Sequence, residues 1–467
     1  MSAAAETVVV GAGPAGAAAA LALAEAGLAV TLVDDNARAG GQVFRTGAAG
    51  GRRGPGRRGP GRDPRGAELR ARLAATPGID HRPDHEVVAI HPDRSLWVRA
   101  DDGRLQRLAP RLLLVATGAV EIAVPVPGWQ RPGVFGLGGL QLLLKGAGTV
   151  PTGPVVLAGA GPLLYLLAAQ LRAHRVPVAA VVDAAARPGF SVLLGLATQP
   201  SLLAAGIGHR WRLLWGGIPV LRRHAVTAVD GDRGGVTGVE VAPVDDDWRP
   251  LPGGRRRIAA RTLGLGFGVR PNIELTRLAG AEHGWDVGLG GWFPKRSDEL
   301  ETTVPGLFAA GDGAGVLGVD NALDEGLIAA AAIARRLGRG GVLDWRAEAA
   351  IDRRRRRRVF REALADWSAL RPGVFAAAGA DTVVCRCEDV TAGEIADAVR
   401  LGYRAPGPLK MATRAGMGLC QGRVCATAVQ HLLAAAAGTD PGAVPPPSVR
   451  VPLRPVPLDA FAGMAAD

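Results

Sequence analysis

The stretch that most constrains the fold lies at the start of the sequence. Residues 7–35 read TVVVGAGPAGAAAALALAEAGLAVTLVDD: an apolar β-branched run, a glycine turn, an alanine-rich helix and a second apolar run that ends in acid. In the turn, G-x-G-x-x-G, the first glycine permits a tight bend, the second lets the backbone approach a pyrophosphate, and the third lets helix and strand pack closely. The stretch therefore predicts a strand, a helix and a strand that bind a dinucleotide.

The same stretch assigns a role to each residue of the turn. The pyrophosphate is expected at the N-terminus of the helix, where free backbone N–H groups favour an anion. Asp34, at the end of the second strand, is expected to accept hydrogen bonds from the adenosine ribose. The predicted cofactor contacts here are Gly11, Gly13, Pro14, Ala15, Gly16 and Asp34.

Three further stretches indicate which dinucleotide is bound. AGGQVFR at 39–45 follows the acid, RLLLVATGA at 111–119 is an apolar strand entering a Thr-Gly turn, and VPGLFAAGDGAG at 304–315 enters a Gly-Asp turn. Together they resemble two-dinucleotide-domain flavoproteins of the glutathione-reductase type, in which such motifs flank FAD and the aspartate holds a ribityl hydroxyl. The alternative for that aspartate is a helix cap. The residues that the resemblance assigns to FAD are Gly41, Gln42, Thr117, Gly118, Gly311 and Asp312.

A second, degenerate nucleotide fold begins at Gly153. Gly159 and Gly161 supply two glycines of the motif, but Leu164 occupies the third position, and its bulk is expected to weaken dinucleotide binding. Whether this domain holds a second nucleotide stays open. The apolar segment 190–220 that follows is expected to pack into the core rather than against a partner.

All four cysteines lie near the C-terminus, in the pattern C-x-C, thirty-two residues, C-x4-C. No N-terminal segment combines a basic start, an apolar run and a cleavage site, so we expect a cytoplasmic chain whose thiols stay reduced. Structural zinc sites pair cysteines across two to four residues, whereas a C-x-C pair can serve one iron of a 2Fe-2S cluster and the distant pair the other. We favour the cluster over zinc or chance thiols, with ligands Cys385, Cys387, Cys420 and Cys425.

The residues around these cysteines predict a small helical module. Thr391 and Glu394 form a T-x-x-E capping box, Gly402 is placed to end that helix, and a second helix is expected just beyond Cys425. The cysteines would then lie in loops at helix starts. The nearby arginines either offset thiolate charge or are simply solvated: Arg386, Arg414 and Arg423.

Composition argues against two other classes of function. The formal charge is +12, but only three of the 55 basic residues are lysines and only two tyrosines could stack on bases, so we predict no nucleic-acid binding. No run of eighteen apolar residues lacks glycine, proline or charge, so we predict no membrane span. The Gly-Pro-Arg stretch 51–62 predicts a surface loop, and the arginines at 353–358 predict a solvated helix face.

No catalytic residue is assigned. Flavoprotein disulfide reductases need a redox cysteine pair beside the flavin, and the first 384 residues contain no cysteine. The histidines are scattered and form no acid–base set.

The fold class is therefore α/β, a two-dinucleotide-domain flavoprotein with a small C-terminal helical 2Fe-2S module. The predicted domains are an FAD-binding domain, a degenerate NAD(P)-type domain, a linker, the 2Fe-2S module and a Pro-rich tail. Their boundaries are, in that order, 1–120 with 298–345, 121–297, 346–379, 380–440 and 441–467.

The combination of GGQVFR, ATGAVEIAVPVPGW and TRAGMGLCQGRVC resembles one family over residues 5–435. It is similar to the A or alpha subunits of heteromeric FAD-dependent amino-acid dehydrogenases, a family that includes the A subunits of opine oxidases, the B subunits of hydrogen cyanide synthases, and the alpha chains of dye-linked proline and D-hydroxyproline dehydrogenases. Its tail resembles bacterioferritin-associated ferredoxin, although that protein has C-x2-C where this chain has C-x4-C.

The resemblance implies a division of labour. A beta subunit of amine-oxidase type, with its own FAD, would oxidise a secondary amine such as an opine, proline or hydroxyproline, and this chain would pass the electrons on. A small ferredoxin-like subunit could join them, and any contact with the inner membrane would be made through the complex. The alternative function is a self-sufficient NAD(P)H-dependent flavin/iron-sulfur reductase.

Overall fold

The computed structural model describes residues 6–45 and 63–461, so the Gly-Pro-Arg stretch 51–62 lies outside the described residues. The strands are β1 (Thr7–Val10), β2 (Val30–Val33), β3 (Ile79–Arg82), β4 (Glu86–Ile90), β5 (Leu96–Arg99), β6 (Leu105–Leu108), β7 (Leu112–Val115), β8 (Ala119–Glu121), β9 (Val134–Gly136), β10 (Val155–Gly159), β11 (Val178–Asp183), β12 (Val220–Arg222), β13 (His224–Asp232), β14 (Gly235–Pro243), β15 (Arg256–Ala259), β16 (Thr262–Gly266), β17 (Val269–Pro271), β18 (His283–Asp286), β19 (Gly291–Pro294), β20 (Leu307–Ala309), β21 (Val383–Cys385) and β22 (Val390–Thr391). The α-helices are α1 (Pro14–Glu25), α2 (Pro64–Ala75), α3 (Leu137–Leu142), α4 (Pro162–Ala173), α5 (Phe190–Ala197), α6 (Pro200–Trp215), α7 (Glu274–Leu278), α8 (Val319–Arg336), α9 (Asp344–Arg356), α10 (Arg358–Ser368), α11 (Ala392–Arg400), α12 (Pro406–Thr413) and α13 (Ala426–Ala437).

The first sheet has five parallel strands in the order β20, β7, β1, β2, β3. Every residue of β1 and β2 is buried, as their continuous apolar runs predict for a parallel sheet covered on both faces. Helices α1 and α8 cover one face, and the antiparallel strands β4, β5 and β6 cover the other. The motifs at 11–16, 34, 117–118 and 311–312 follow strands β1, β2, β7 and β20, so they meet at one edge.

The second sheet repeats this plan. Five parallel strands run in the order β12, β11, β10, β16, β9, with a separate antiparallel sheet of β13, β14 and β15. Where the chain crosses between the two halves, β8 and β17 pair antiparallel. The predicted pair of dinucleotide folds is therefore present.

The apolar segment after the second sheet's β11 does not pack as expected. Helices α5 and α6 meet at an angle of 119°, and only a few of their side chains, such as Leu196 and Leu213, are buried. Phe190 and Trp215 at the two ends are 77% and 79% exposed. The expectation of core packing is wrong for most of this segment. Helix α4 already packs against the second sheet on this side, so α5 and α6 form an outer layer.

The arginine run at 353–358 is only partly a solvated face. Arg353 and Arg357 donate to Asp324 of α8, at 2.8 and 2.6 Å, and Arg354 pairs with Glu325 at 3.0 Å. The two acids are buried in an otherwise apolar helix, and a buried carboxylate requires a partner charge. The prediction is correct for the other three arginines, which are exposed: Arg355, Arg356 and Arg358.

The C-terminal module folds as its local signals predict. The capping box of Thr391 and Glu394 forms at the start of α11, Gly402 follows the end of that helix with a φ of 101°, and α13 begins directly after Cys425. The apolar side chains of α11 and α13 join the same core cluster as those of β10 and β11. The module is thus built into the body of the chain.

The described part of the Pro-rich tail, up to residue 461, runs back over the first domain. The Leu453 N–H donates to the Val88 carbonyl at 2.8 Å, and Arg454 pairs with Glu86 at 3.2 Å. Gln430 of α13 donates to the carbonyls of Pro441 and Val444. The tail therefore joins the cysteine module to strand β4.

Asp324→Ala should destabilise the chain, because Arg353 and Arg357 would lose the buried carboxylate that joins α9 to α8. We expect a loss of about 3 kcal/mol in the free energy of unfolding, measured by urea denaturation. The control is Glu362→Ala, since Glu362 and its partner Arg358 are both exposed, and a change below about 0.5 kcal/mol is expected there. Equal effects of the two substitutions would contradict the docking role of Asp324.

Candidate functional site

The first glycine turn is held tightly against the neighbouring strand. Gly11 has a φ of 102°, and a Cβ there would collide with the Ala116 carbonyl at the end of β7. Helix α1 starts with Pro14 at its first position, so its free N–H groups lie beside the turn. The arrangement matches a pyrophosphate site.

The motifs that lie far apart in sequence converge on this turn. A Cβ on Gly41 would lie 3.0 Å from the Gly13 Cα, and a Cβ on Gly311 would lie 2.9 Å from the Ala15 Cβ. A Cβ on Gly313 would lie 3.0 Å from the Gly118 backbone. Backbone approaches this close leave no room for side chains, so the four segments form one continuous cradle around the start of α1.

Asp34 lies at the end of β2 and is buried. Its carboxylate accepts from the backbone N–H of Asn36 at 2.7 Å, from the Asn36 side chain at 2.9 Å, and from the Ala12 N–H within the glycine turn. A carboxylate has about four acceptor positions, so one is left for a ribose hydroxyl. Burial raises the pKa of Asp34 above its usual value, and the hydrogen bonds oppose that shift.

Asp312 is oriented by the loop that follows it. The N–H groups of Leu317 and Gly318 both donate to its Oδ1, each at 3.0 Å. Burial raises the pKa of this carboxyl, and these two hydrogen bonds act the other way. The loop thus fixes Oδ1, and no described residue donates a hydrogen bond to Oδ2, which leaves that oxygen for a ligand. The alternative of a simple helix cap accounts only for Oδ1.

Two neighbouring residues complete the edge of the cradle. Thr117 donates its hydroxyl to the Asn272 carbonyl at 3.0 Å, which ties the Thr-Gly turn to the segment after β17. Gln42 is exposed and accepts from Arg45 at 3.1 Å. Gln42 therefore lies at the rim rather than inside the cradle.

Sequence reasoning missed Glu325, which supports the Gly-Asp turn from behind. It is 1% exposed, and its Oε2 accepts from the Gly311 N–H at 2.8 Å and from Arg296 at 2.9 Å. Arg354 reaches the other oxygen. The available signal was the pair of adjacent acids in the alanine-rich stretch VDNALDEGLIAAAAIA, since a charge on a buried helix face needs a specific partner.

The second glycine turn lies beside polar groups of the chain itself. Asp183, which ends β11 as Asp34 ends β2, is fully buried; it accepts from the Tyr165 hydroxyl and from the Ala185 N–H at 3.0 Å. A Cβ on Gly161 would lie 3.8 Å from the Ser368 hydroxyl at the end of α10. The acid position is therefore shared with Tyr165, and the turn at Gly161 lies beside Ser368 on the wall of a cavity.

Leu164, the residue that breaks the second glycine motif, is completely buried. It lies in a core cluster with Leu157 of β10 and Leu137 of α3. The Leu164 side chain thus fills the core at the position where a dinucleotide-binding fold has its third glycine.

The four cysteines come together at the starts of α11 and α13 and in the loop before them. Cys385 and Cys425 are buried, Cys420 is half-buried and Cys387 is exposed. The Cys385 thiol is hydrogen-bonded with Cys425, and the Cys387 thiol with Cys420. Which of these thiols would share an iron stays a prediction.

The surroundings of the thiols fit an iron-sulfur cluster. The thiol of Cys385 bonds with Cys425 and accepts from the backbone N–H groups of Gly416, Glu388 and Cys387, which together lower its pKa to about 5. Backbone donors of this kind stabilise cluster sulfurs. Among the described residues, no three cysteine, histidine or carboxylate groups are placed to hold a single metal ion. Two thiol pairs suit two irons better than one tetrahedral zinc.

The arginines near the thiols mostly have other partners. Arg386 lies over the Trp129 ring at 4.7 Å, and Arg414 pairs with Glu388 at 2.6 Å. Arg423 is the one of the three whose charge interacts with a ligand, Cys420. Arg423 therefore fits the predicted charge-compensating role, whereas Arg386 and Arg414 serve local packing.

The cysteine loops are anchored to the body of the chain that precedes them. Glu274 of α7 lies 4.0 Å from Arg423 and 3.8 Å from Arg270, and all three are largely buried. On the other side of the module, the Trp129 indole donates to the Val383 carbonyl at 2.7 Å. These contacts fix the position of the thiols relative to the flavin motifs.

A cavity of about 510 Å³ lies between the two sites. At one end it is lined by Leu317 and Gly318, the residues that orient Asp312, and at the other by Gly416 and Cys425. Trp285 and other apolar side chains line its walls. The loop that orients Asp312, the second glycine turn and the cysteine loops therefore border one cavity.

Comparisons with known proteins agree with this arrangement. Residues 5–336 match the model of the pyridine nucleotide-disulphide oxidoreductases, and residues 383–435 match that of the BFD-like 2Fe-2S binding domain. Hydrogen cyanide synthase subunit HcnB of Pseudomonas aeruginosa is 37% identical over 98% of this chain and 99% of its own length. The A subunit of opine oxidase from Rhizobium meliloti is 33% identical over 98% of both chains. These relatives confirm the predicted resemblance.

Among solved structures, L-proline dehydrogenase from P. horikoshii superimposes with a TM-score of 0.68 at 18% identity. The match covers 98% of this chain and 79% of that chain. It supports the fold of the entire chain, including the C-terminal module.

Cys420→Ser should lose iron and the broad visible absorbance of the cluster while FAD stays bound. The FAD motifs lie on a separate sheet with its own core, so losing one cluster ligand should not disturb them. Iron analysis and flavin content of the purified protein measure the two effects. Leu419→Ser, the exposed neighbouring position, is the control and should retain both cofactors. Loss of both cofactors in Cys420→Ser would contradict this expectation.

Asp312→Ala should weaken FAD binding, since a buried carboxylate would no longer accept from the ribityl chain. We expect a cost of about 2 kcal/mol, or roughly a 30-fold higher Kd in a flavin reconstitution titration. Asp34→Ala should act in the same direction. Asp320→Ala at the start of α8, where the half-buried carboxylate pairs with Arg65, serves as control and should bind as the wild type does. Wild-type affinity in both Asp312→Ala and Asp34→Ala would refute the assignment.

Proposed function

The chain belongs to the pyridine nucleotide-disulphide oxidoreductase family with a BFD-like 2Fe-2S domain, and from this we propose that it is the electron-transfer subunit of a heteromeric amino-acid or secondary-amine dehydrogenase. As a member of this family it is a flavin oxidoreductase with FAD and a 2Fe-2S cluster as cofactors. Bound FAD accepts an electron pair and releases electrons singly, and the cluster carries them one at a time. The substrate would be an opine, proline or hydroxyproline, oxidised by a partner.

One observation supports this proposal over the alternative of an NAD(P)H-dependent reductase. The acid of the second nucleotide fold, Asp183, is buried under the Tyr165 hydroxyl, and α10 lies across the turn at Gly161. A nicotinamide dinucleotide that used Asp183 in the usual way would have to displace the Tyr165 hydroxyl. We therefore infer that electrons are supplied by a second protein.

We assign the cofactor contacts as follows. The glycine turn at 11–16 holds the pyrophosphate, Asp34 the ribose, and Asp312 the ribityl chain, while Gly41 and Gly118 provide close backbone contact. Gln42 lies at the rim of the site, and Thr117 acts by fixing the turn. The proposed cluster ligands are Cys385, Cys387, Cys420 and Cys425.

The proposed partner is a beta subunit of amine-oxidase type that carries its own FAD. The relatives with full-length similarity are named as subunits of hydrogen cyanide synthase and of opine oxidase, which supports an assembly of several chains. A small ferredoxin-like subunit is a further proposed member. We place the complex in the cytoplasm, where the four unpaired thiols stay available to iron.

Purified alone, the chain should be coloured but should not reduce a dye with proline, hydroxyproline, sarcosine or opines. The proposal assigns amine oxidation to the beta subunit, so the isolated chain lacks the pocket that would place an amine against its flavin. Co-expression with a beta subunit should restore amine-dependent dye reduction, measured spectrophotometrically. Turnover by the isolated chain at the rate of the complex would overturn the proposal and place amine oxidation in this chain.

A further inference from the structure

The bent pair of helices α5 and α6 presents an apolar surface to solvent. Ile207, Trp211, Leu214 and Trp215 lie on one face of α6 at the spacing i, i+4, i+7, i+8, and each is 47% exposed or more. The remaining exposed apolar side chains of the surface are Phe190, Leu193, Leu194 and Leu202. Exposed apolar side chains grouped on one face of a helix mark an interaction site.

The opposite side of α5 is already used. A Cβ on Gly195 would lie 2.5 Å from the Ala363 Cβ of α10, so the two helices pack closely. Below α6, Leu213 is completely buried. The exposed face is therefore supported from beneath and is free to bind a partner.

The charge around this surface has a single sign. Residues 184–229 contain five arginines and no aspartate or glutamate. Within the described part of the chain, Arg223 is the one of the five that pairs with a carboxylate, Asp246, at 2.9 Å. Beside α5, a shallow concavity is lined by Arg187, Arg222 and Arg223. An apolar face bordered by five arginines, four of which form no ion pair within the described part of the chain, matches an anionic lipid surface, whose headgroup phosphates would occupy the concavity.

The geometry matches a helix pair that lies on a membrane. No single described helix is long and apolar enough to cross one; α5 and α6 pass that test together but are bent by 119°. Their 8 and 16 residues correspond to about 12 and 24 Å, less than the roughly 30 Å of a hydrocarbon core. Tryptophans favour the level of the headgroups, where Trp211 and Trp215 would sit.

We propose that the α5–α6 surface binds the face of a bilayer that contains anionic phospholipid, with the apolar side chains in the interface and the arginines on the phosphates. This inference does not depend on the proposed function. It adds a direct membrane contact by this chain to any contact made through a complex.

Vesicle flotation of the full-length protein tests the proposal. Vesicles of phosphatidylcholine with phosphatidylglycerol should carry the wild type upward, and vesicles of phosphatidylcholine alone should carry much less. Trp211→Ser with Trp215→Ser should reduce binding by about tenfold or more. The control is Trp345→Ser, because Trp345 is 68% exposed on α9, away from this surface, and it should bind as the wild type does.

A second variant keeps the test valid if the tryptophan variant misfolds. Arg210→Gln with Arg212→Gln should weaken flotation on the anionic vesicles, and added salt should weaken wild-type binding in the same way. Equal flotation of wild type and both variants would overturn the proposal. So would a wild type that ignores vesicles and instead forms a dimer, or a complex with the beta subunit, that the tryptophan variant loses.

Discussion

The buried carboxylate of Glu325 is the interaction on which the arrangement of both cofactor sites depends. It receives the Gly311 N–H, Arg296 and Arg354, so one side chain joins the Gly-Asp turn, the first sheet and helix α9. A carboxylate that is 1% exposed is stable only when its charge is matched, and removing one partner would leave an unpaired buried charge. This requirement holds α9 against α8, next to the flavin motifs, and thereby fixes where α10 begins.

From that point the chain closes one nucleotide site and builds another redox site. Helix α10 crosses the second glycine turn, and its Trp367 indole donates to the Ala186 carbonyl at 2.8 Å. The chain then enters the cysteine module, whose apolar residues share a core with the second sheet. The linker therefore has two consequences: its helix α10 borders the second glycine turn, and it leads the chain to cysteine loops that border the same cavity.

The parts of this structure that sequence predicted are those whose determinants are local. The glycine turn at 11–16 and the capping box of Thr391 are each determined by a few adjacent residues. The flavin motifs converge because the carboxyl ends of parallel strands lie at the same edge of a sheet. The pairing of thiols, the bond between Tyr165 and Asp183, and the burial of Arg354 depend on contacts between segments far apart in sequence. The exposure of α5 and α6 was missed for a related reason: an apolar run indicates burial but does not say whether the burying surface belongs to the same chain.

The central claim is that electrons reach this chain from a partner and not from a nicotinamide. Anaerobic titration of the isolated protein with NADH and NADPH, followed through the flavin absorbance, tests it most directly. The account predicts an unchanged flavin spectrum over minutes with either nucleotide, and reduction when an amine is added together with the beta subunit. Bleaching of the flavin within seconds by NADH or NADPH alone would contradict the account and identify the chain as a self-sufficient reductase.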